Sequence, residues 1–237
     1  MNKLKHTFFC EDIESGFLSE EESAHALRVL RLQSGDRFRL VNGKGFEGIA
    51  EVTQTEKKRL FYEVIDRTEE AVQNKERIHI AIAPTKNIDR FSFFMEKVAE
   101  LGIHQITPLI CKNSERKNLN VEKLRKKLLA ALKQSGNLFL PRLDYPQTFS
   151  DFIKTAETTE NAFIAHCEDE SQKVALKEVL KKDKNVLILI GPEGDFRPEE
   201  INLAKEKGFK GVSLSESVLR TETAGIIACH TVQLILY

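Results

Sequence analysis

Two loops of this 237-residue chain carry residues suited to holding a small polar molecule. The first, residues 191–194 (Gly-Pro-Glu-Gly), follows five consecutive apolar residues, 186–190, which predict a buried parallel strand. The second, residues 214–225, follows a short predicted strand and leads into a helix. Loops that leave the carboxyl ends of neighbouring parallel strands meet at one edge of a sheet, where α/β proteins bind ligands. We therefore expect the two loops to form the halves of one pocket.

The elements that must position these loops belong to an alternating pattern. From residue 77 onward, apolar runs typical of strands alternate with helical patterns in which apolar residues recur every three or four positions. Such alternation indicates an α/β domain with a mostly parallel sheet. The predicted strands are residues 77–83, 103–110, 162–166, 186–190 and 211–214, and the predicted helices are residues 88–101, 121–135, 172–181, 199–207 and a last one from residue 222.

The front of the chain has a β-rich pattern instead. Ser19 and Glu22 form a capping box at the start of one predicted helix. The predicted strands that follow are residues 36–41, 48–54 and 60–66. A polar segment, residues 68–76, separates this region from the alternating pattern, so we expect one domain at residues 1–70 and a second at residues 71–237.

Residues 43–48 match the GxGxxG fingerprint of dinucleotide-binding loops letter for letter. In that fingerprint a helix follows the loop and offers its N-terminus to a pyrophosphate. Here residues 49–53 alternate and include β-branched side chains, which is typical of a strand, and Asn42-Gly43 favours a hairpin turn. We therefore interpret the stretch as a glycine-rich hairpin and expect no nicotinamide cofactor.

The composition limits the class of protein. Lys plus Arg and Asp plus Glu both number 36, so the net charge neither favours nor opposes a nucleic-acid partner. The four cysteines are scattered without a CxxC pair and the six histidines show no metal-ligand spacing, so we expect neither a disulfide framework nor a metal site. No signal peptide and no apolar stretch of the ~20 residues needed to cross a membrane is recognisable. We expect a cytoplasmic protein.

Basic residues are concentrated between residues 112 and 142, where nine basic residues accompany two acidic ones. A solvated helix face would explain this excess, and so would a surface that contacts nucleic-acid phosphates. Charge alone slightly favours the solvated face. The candidates for phosphate contacts are Arg116, Lys117, Lys126 and Lys133 here, and Arg28 and Arg31 on the predicted first helix.

The two loops resemble those of a known family. Residues 191–194 followed by residues 219–224 (Leu-Arg-Thr-Glu-Thr-Ala) are similar to the RsmE family of ribosomal-RNA uridine N3-methyltransferases, members of the SPOUT superfamily. The resemblance extends in order over nearly the whole chain. The further matching stretches are His25 with Val29-Leu30-Arg31, Gly35-Asp36, Glu96-Lys97, Glu100-Leu101-Gly102 with Pro108, and Gln134-Ser135 with Pro141.

The resemblance implies a fold, a cofactor and a substrate. The fold is an N-terminal PUA-like β-barrel that helps to hold RNA, followed by an α/β domain with a parallel sheet and a deep trefoil knot, a rare exception to the rule that chains are unknotted. The knot loops are expected to bind S-adenosylmethionine (SAM). The expected enzyme is a homodimer that methylates a uridine of 16S ribosomal RNA within the small subunit.

The cofactor site is expected on the two loops. Glycine at positions 191 and 194 lets main-chain groups approach a ligand without a Cβ in the way. The leucines and the valine at the site could provide apolar walls for the adenine, although ordinary core packing would also explain them. The expected cofactor-binding residues are Leu189, Gly191, Pro192, Glu193, Gly194, Leu214, Ser215, Val218, Leu219 and Thr223.

Arg220 and Glu193 are the candidates for catalysis. A fixed cation at Arg220 would stabilise the anionic base formed when the acceptor nitrogen loses its proton, or orient the RNA. A structural salt bridge with Glu222 or Glu193 would explain the presence of Arg220 equally well. Glu193 could accept the proton, directly or through water, or brace its loop, and we favour bracing.

Four positions depart from the family pattern. Asp195 and Ser215 stand where glycines are usual, and Ser217 and Thr7 stand where arginines are usual. The Asp195 side chain could cap the next helix. The departures at Asp195, Ser215 and Ser217 keep open an RNA-binding or ribosome-assembly protein without catalysis, whereas Thr7 weakens the expectation that the front domain holds RNA at that point. Another alternative is a SPOUT methyltransferase acting on a tRNA ribose, against which the front domain and the second loop argue.

Overall fold

The computed structural model describes residue 4 and residues 6–68, 77–167, 173–182 and 185–236. The predicted linker therefore lies, apart from its first residue, outside the described residues. Contacts group the chain into two compact units, Met1–Gln73 with Leu129–Leu140, and Asn74–Leu128 with Pro141–Tyr237. The placement of Leu129–Leu140 with the first unit was not predicted from the sequence.

The first unit is built on a four-stranded sheet in the order β1-β2-β3-β4. These strands are β1 (Thr7–Phe9), β2 (Arg37–Val41), β3 (Glu47–Thr55) and β4 (Leu60–Thr68). β1 runs parallel to β2, and the other neighbours are antiparallel. One face covers a core that includes Phe8, Phe38 and Leu40, all at most 1% exposed. The three predicted strands are confirmed, whereas β1 was missed because three residues carry little pattern.

The stretch 43–48 lies at the hairpin between β2 and β3, as predicted. The Asn42 side-chain oxygen accepts hydrogen bonds from the amides of Lys44 at 2.7 Å and Phe46 at 3.1 Å. Gly43 has a φ of 70°, a left-handed conformation that glycine adopts readily. Because β3 follows directly, the loop has no helix N-terminus to offer a pyrophosphate, and the hairpin interpretation is confirmed.

The second unit contains an eight-stranded sheet whose paired strands all run parallel. The order is β10-β12-β9-β11-β5-β6-β7, and β8 also pairs with β6. The strands are β5 (Ile78–Ile82), β6 (Gln105–Ile110), β7 (Arg142–Leu143), β8 (Gln147–Thr148), β9 (Asn161–Ala165), β10 (Val174–Ala175), β11 (Val186–Ile190) and β12 (Lys210–Ser213). The predicted parallel sheet is confirmed, and the carboxyl ends of β9, β11 and β12 lie side by side.

The helices begin and end close to the predicted residues in most cases. They are α1 (Glu20–Ala24), α2 (Ile88–Glu100), α3 (Val121–Ser135), α4 (Phe149–Thr155), α5 (Leu176–Val179), α6 (Pro198–Glu206) and α7 (Thr221–Leu236). Half of the predicted capping box of α1 is present: the Ser19 hydroxyl accepts a hydrogen bond from the Glu22 amide at 3.3 Å, whereas the Glu22 carboxylate pairs with Lys133. Across the described ranges, no helix combines the length and the apolar character required of a membrane span.

The helix predicted at residues 172–181 is wrong over its described part. Val174 and Ala175 instead form β10, which pairs with Val212 and Ser213 of β12, and only the four residues of α5 are helical. Pairing with a neighbouring strand overrides the helical pattern there, as tertiary context often does. α4 was not predicted, although Thr148 caps it by accepting a hydrogen bond from the Asp151 amide at 3.2 Å.

Gly225 allows α7 to lie close to α2 and β5. A Cβ at this position would lie 2.5 Å from the Phe94 ring and 2.9 Å from Ile82 Cδ1. We therefore expect Gly225→Ala to lower the free energy of unfolding by about 1–3 kcal/mol in urea titrations, because overpacking outweighs the better helix propensity of alanine. In the double variant with Phe94→Leu, the added space should make the loss less than additive. A single variant that is more stable than the wild type would contradict this packing.

We expect His79 to make the free energy of unfolding of the second unit depend on pH. Its Nε2 lies 2.7 Å from the Thr107 hydroxyl, which donates a hydrogen bond at 2.6 Å to Asp144. Burial lowers the pKa of His79 to about 4. Because the unfolded chain binds this proton more readily, stability should fall as the pH drops from about 6.5 toward 4. Urea titrations at pH 7.5 and pH 5 measure the free energy of unfolding. The difference between the two pH values should be smaller for His79→Gln than for the wild type, and equal to that of the wild type for His230→Gln, which changes an exposed histidine.

Candidate functional site

Both predicted loops line one cavity of about 400 Å³ in the second unit. The cavity opens at the carboxyl ends of β9, β11 and β12, where residues 165–167, 190–195 and 212–219 supply wall residues. Because all three strands run parallel, the segments that follow them emerge at the same edge of the sheet. The start of α7 completes the wall with Thr221 and Ala224.

Hydrogen bonds tie the first loop to two other connections. Glu193 Oε1 accepts a hydrogen bond from the Lys86 amide at 2.9 Å, which ties the loop to the segment between β5 and α2. Asn113 Nδ2 donates to the carbonyl oxygens of Gly194 at 2.8 Å and Asp195 at 3.1 Å. These bonds fix the loop main chain, and they agree with the bracing role favoured for Glu193.

Asp195 holds the loop against the end of β9 and does not cap α6. Its φ is 56°, which is uncommon for a residue with a side chain. One carboxylate oxygen accepts from the Cys167 amide at 2.7 Å, and the other accepts from the amide of Phe196 at 2.8 Å. At the N-terminus of α6 the capping carboxylate is that of Glu200, which accepts a hydrogen bond from the Arg197 amide at 2.9 Å. Burial and the Asp195 charge raise the pKa of the Cys167 thiol, so this exposed cysteine stays protonated at neutral pH.

Glycine is required at residue 191 because neighbouring protein atoms pack closely against this part of the loop. A Cβ here would lie 3.0 Å from the Phe196 ring and 3.3 Å from Asp195 Oδ1. A larger residue would therefore push the loop away from Phe196. A Cβ on Gly194 would lie 3.4 Å from the Asn113 side chain, an ordinary contact distance. From the sequence, Gly191 was assigned to the close approach of a ligand, whereas the crowding that the structure shows comes from Phe196 and Asp195.

The second loop forms the opposite wall and the mouth of the cavity. Leu214, Ser215, Val218 and Leu219 all line it, and Val218 is 82% exposed. The Ser215 hydroxyl accepts a hydrogen bond from the Ser217 amide at 3.2 Å, which shapes the turn where the family usually has a glycine. An exposed apolar side chain at a cavity mouth is suited to cover a bound ligand.

Three predicted cofactor residues do not line the cavity. Leu189 is fully buried in the core with Phe149 and Phe196. Gly194 lies at the far end of its loop, and Thr223 lies in the first turn of α7 between the two wall residues of that helix. The other seven cofactor candidates line the cavity.

The cavity wall also includes residues outside the predicted cofactor-binding set. Lys173 lines the cavity, and its ammonium donates a hydrogen bond to the His166 carbonyl at 3.1 Å. His166 itself is 7% exposed and belongs to the wall, as do Asp195 and Glu216. Sequence reasoning missed Lys173, because a helix was predicted at residues 172–181 and β10, which begins directly after Lys173, was not recognised.

Arg220 lies at the cavity wall directly before α7 and is exposed. Glu193 and Glu222 do not pair with it, because Glu193 accepts from the Lys86 amide and Glu222 Oε1 lies 3.9 Å from Arg90 Nε. In the part of the chain that the structure describes, the Arg220 guanidinium has no ion pair. The structural salt bridge considered for Arg220 is therefore absent there, and its charge is available at the cavity.

The basic candidates differ in their surroundings. The Arg116 guanidinium donates to the carbonyls of Thr85 at 3.2 Å and Lys86 at 2.7 Å, so it braces the loop beside Glu193. Lys133 Nζ pairs at 2.6 Å with Glu22, which is 6% exposed. These two have structural roles. The candidates that are exposed are Lys117, Lys126, Arg28 and Arg31.

Arg31 has a left-handed φ of 56° shortly after a π-helical turn, His25–Val29, that continues α1.

No cluster of three or more His, Cys, Asp or Glu residues arranged to hold a metal ion occurs within the described ranges.

Comparison with known proteins identifies the two units. The RNA methyltransferase domain family matches residues 72–233, and the RNA methyltransferase PUA domain family matches residues 18–65. The chain is 29% identical over 220 residues to the ribosomal RNA small subunit methyltransferase E of Rickettsia conorii, covering 92% of this chain and 89% of the relative.

Solved structures agree with these matches. A protein of Porphyromonas gingivalis described as a probable rRNA-methyltransferase is 36% identical, with a TM-score of 0.88 and coverage of 97% of this chain and 98% of the other. The ribosomal RNA small subunit methyltransferase E of Neisseria gonorrhoeae, solved bound to S-adenosyl methionine, is 25% identical, with a TM-score of 0.84 and 98% coverage of both chains. With a family match over residues 72–233 and these relatives over nearly its whole length, the chain belongs to the RsmE family of RNA methyltransferases.

Proposed function

We propose that this protein transfers a methyl group from SAM to N3 of a uridine in 16S ribosomal RNA of the small subunit. The observation that carries the proposal is the single cavity that both loops line at the carboxyl ends of β9, β11 and β12. It lies in the unit that matches the RNA methyltransferase domain, and the N. gonorrhoeae relative is bound to S-adenosyl methionine.

The cavity residues fit this cofactor. A volume of about 400 Å³ lies within the range of small-ligand sites. Apolar side chains such as Leu214 and Leu219 can flank an adenine, while Asp195 and Lys173 can complement the opposite charges of the methionine part. When bound, SAM supplies an electrophilic methyl group. The braced loops hold main-chain groups in place around it, and most of the acceleration comes from such positioning.

Arg220 is proposed to act on the acceptor base. N3 of uracil carries a weakly acidic proton, and the nitrogen becomes a good nucleophile when that proton is lost. A cation at the cavity wall stabilises the resulting anion, and this effect is largest when the bound RNA excludes water. The Arg220 guanidinium is suited to this role because it has no ion pair among the described residues.

Glu193 is proposed to have a bracing role first. Its bond to the Lys86 amide uses one lone pair of the carboxylate. Glu193 also lines the cavity, and its other oxygen could accept the N3 proton, directly or through water. Arg116 donates to the Lys86 carbonyl at 2.7 Å, so one short loop is bound to both side chains.

The finer features of the family are proposed for this chain as well. They are a PUA-like RNA-binding domain at residues 1–70, a SPOUT domain with a trefoil knot at residues 71–237, a homodimer, and a cytoplasmic location. An exposed apolar side chain on the last helix supports the dimer: Leu234 of α7 is 71% exposed. Light scattering during gel filtration tests it, because a monomeric mass would contradict a dimer.

Labelled-methyl transfer tests the proposed activity. Small subunits from cells that lack this gene should accept label from SAM when the purified full chain is added, whereas unmodified tRNA should not. Calorimetry with SAM on the same preparation separates the alternatives. A chain that binds RNA but not SAM would be a non-catalytic protein, and label in tRNA alone would indicate the tRNA methyltransferase.

The exposed lysines around α3 are expected to contact phosphates. Lys117, Lys123 and Lys127 are exposed and form no ion pair in the described part of the chain. Replacing all three by Gln should weaken RNA binding and lower the slope of log affinity against log salt by roughly 0.7–0.9 per lost phosphate contact. SAM affinity should not change. A salt slope equal to that of the wild type would favour the solvated-face interpretation.

A further inference from the structure

A second surface of the catalytic unit carries an exposed aromatic ring next to a cation. Tyr145 lies between β7 and β8 and is 64% exposed. The Arg125 guanidinium carbon lies 5.6 Å from the centroid of the Tyr145 ring. Asn118, Asn120, Pro146 and the start of α3 surround the ring in a shallow groove of about 510 Å³. This groove and the cofactor cavity have no lining residue in common.

The charges around this groove favour a polyanion. Its acidic neighbour Glu122 pairs with Arg125 at 3.5 Å, and Glu115 pairs with Lys86 at 2.8 Å. Lys117, which directly precedes the groove residue Asn118, has no such partner in the described residues and is exposed. An unpaired cation therefore lies next to a groove that holds an accessible ring.

We propose that Tyr145 and Arg125 form a stacking platform for one unpaired nucleobase of the substrate RNA, and that a neighbouring phosphate contacts Lys117. This inference rests on the proposed function, because it assigns part of that substrate's binding surface. Stacking on an aromatic ring or a guanidinium is how proteins hold unpaired bases, and it combines with a positively charged path for the backbone. Asn118 and Asn120 add amide groups that can bond a base edge.

Another exposed aromatic pair in the same unit provides a matched control. Lys97 Nζ lies 5.7 Å from the Phe93 ring centroid, so the geometry is similar. Lys97 is, however, bonded to Glu96 at 3.0 Å and Glu100 at 2.7 Å, so acidic groups surround that ring. The stacking proposal applies to Tyr145 and not to Phe93, because a lysine that is unpaired among the described residues adjoins the Tyr145 groove, whereas the cation at Phe93 is paired with two glutamates.

The chain contains no tryptophan, so a single one can report on stacking. In the full-length protein with Tyr145→Trp, a ten-residue oligouridylate should quench tryptophan fluorescence. An abasic ribose-phosphate strand of the same length should bind without quenching. The Phe93→Trp protein should show no quenching with either strand. Equal quenching of Tyr145→Trp by both strands, or none at saturation, would overturn the proposal.

Affinity measurements give a second readout. Tyr145→Ala should weaken oligouridylate binding about 5- to 100-fold, the range expected for one stacked base, whereas Tyr145→Phe should bind like the wild type. Thermal unfolding should be unchanged in both, because the side chain is largely exposed. Full affinity in Tyr145→Ala would overturn the proposal. SAM titration and methyl transfer by the wild type are measured alongside, so a failure of the proposed activity is recognised separately.

Discussion

Replacing Arg220 by Gln is expected to lower the single-turnover rate of methyl transfer by about 100-fold or more, while the Kd for SAM changes little. Loss of one preorganised group that stabilises a developing anion typically costs a factor of this size. The guanidinium lies at the cavity wall without an ion pair among the described residues, so its removal should leave no other charge unpaired there. Rapid-quench assays with saturating subunits measure the rate, and calorimetry measures the Kd.

The pH dependence of the Arg220→Gln defect distinguishes charge stabilisation from a structural role. If Arg220 helps N3 to lose its proton, the defect should shrink as the pH rises, because more of the base is deprotonated without help. Arg220→Lys should keep part of the rate. Arg197→Gln, which changes an exposed arginine outside the cavity wall, serves as the control. Two results would contradict the assignment. One is a rate defect in Arg220→Gln that is the same at every pH, and the other is a rate defect that disappears at saturating SAM.

Gly191→Val is expected to weaken SAM binding at least about tenfold, or roughly 1.4 kcal/mol. The physical reason is the contact behind the loop: a Cβ would lie 3.0 Å from the Phe196 ring, so the loop main chain must move into the cavity. The far-ultraviolet circular dichroism should remain that of a folded protein. Calorimetry with SAM measures the effect.

The partner of this contact provides the control for Gly191→Val. Phe196→Leu alone should bind SAM nearly normally, and in the double variant it should restore part of the lost affinity, because it removes the ring that a residue-191 side chain would meet. Gly194→Ala should have a smaller effect, since its Cβ would lie 3.4 Å from Asn113. Unchanged SAM affinity in a folded Gly191→Val protein would remove this residue from the site.

Periodicity predicted the parts of the fold that have long, regular patterns. The limits of α3 and β11 agree with the predicted residues, and the hairpin at residues 43–48 followed from the strand pattern after it. The pocket was predicted because parallel strands place their carboxyl ends together. The two-residue strands β7, β8 and β10 are too short to show a period, and each exists because a neighbouring strand pairs with it.

Side-chain roles depended on contacts that a sequence pattern does not contain. Arg116 and Lys133 look like other basic residues in the sequence, yet one bonds the Lys86 carbonyl and the other pairs with the buried Glu22. The departure at Asp195 could not be interpreted as a loop brace, because its partner Cys167 is 28 residues away. Family resemblance supplied the cofactor and the substrate, which neither periodicity nor composition indicated.

Nucleoside mass spectrometry tests the central claim most directly. Small subunits from cells lacking the gene are incubated with this protein and SAM that carries an isotopically labelled methyl group, and the 16S RNA is then digested to nucleosides. We predict labelled 3-methyluridine, formed by the wild type and nearly absent with Arg220→Gln. Label in a ribose-methylated nucleoside, or no label in a preparation that binds SAM, would contradict the claim.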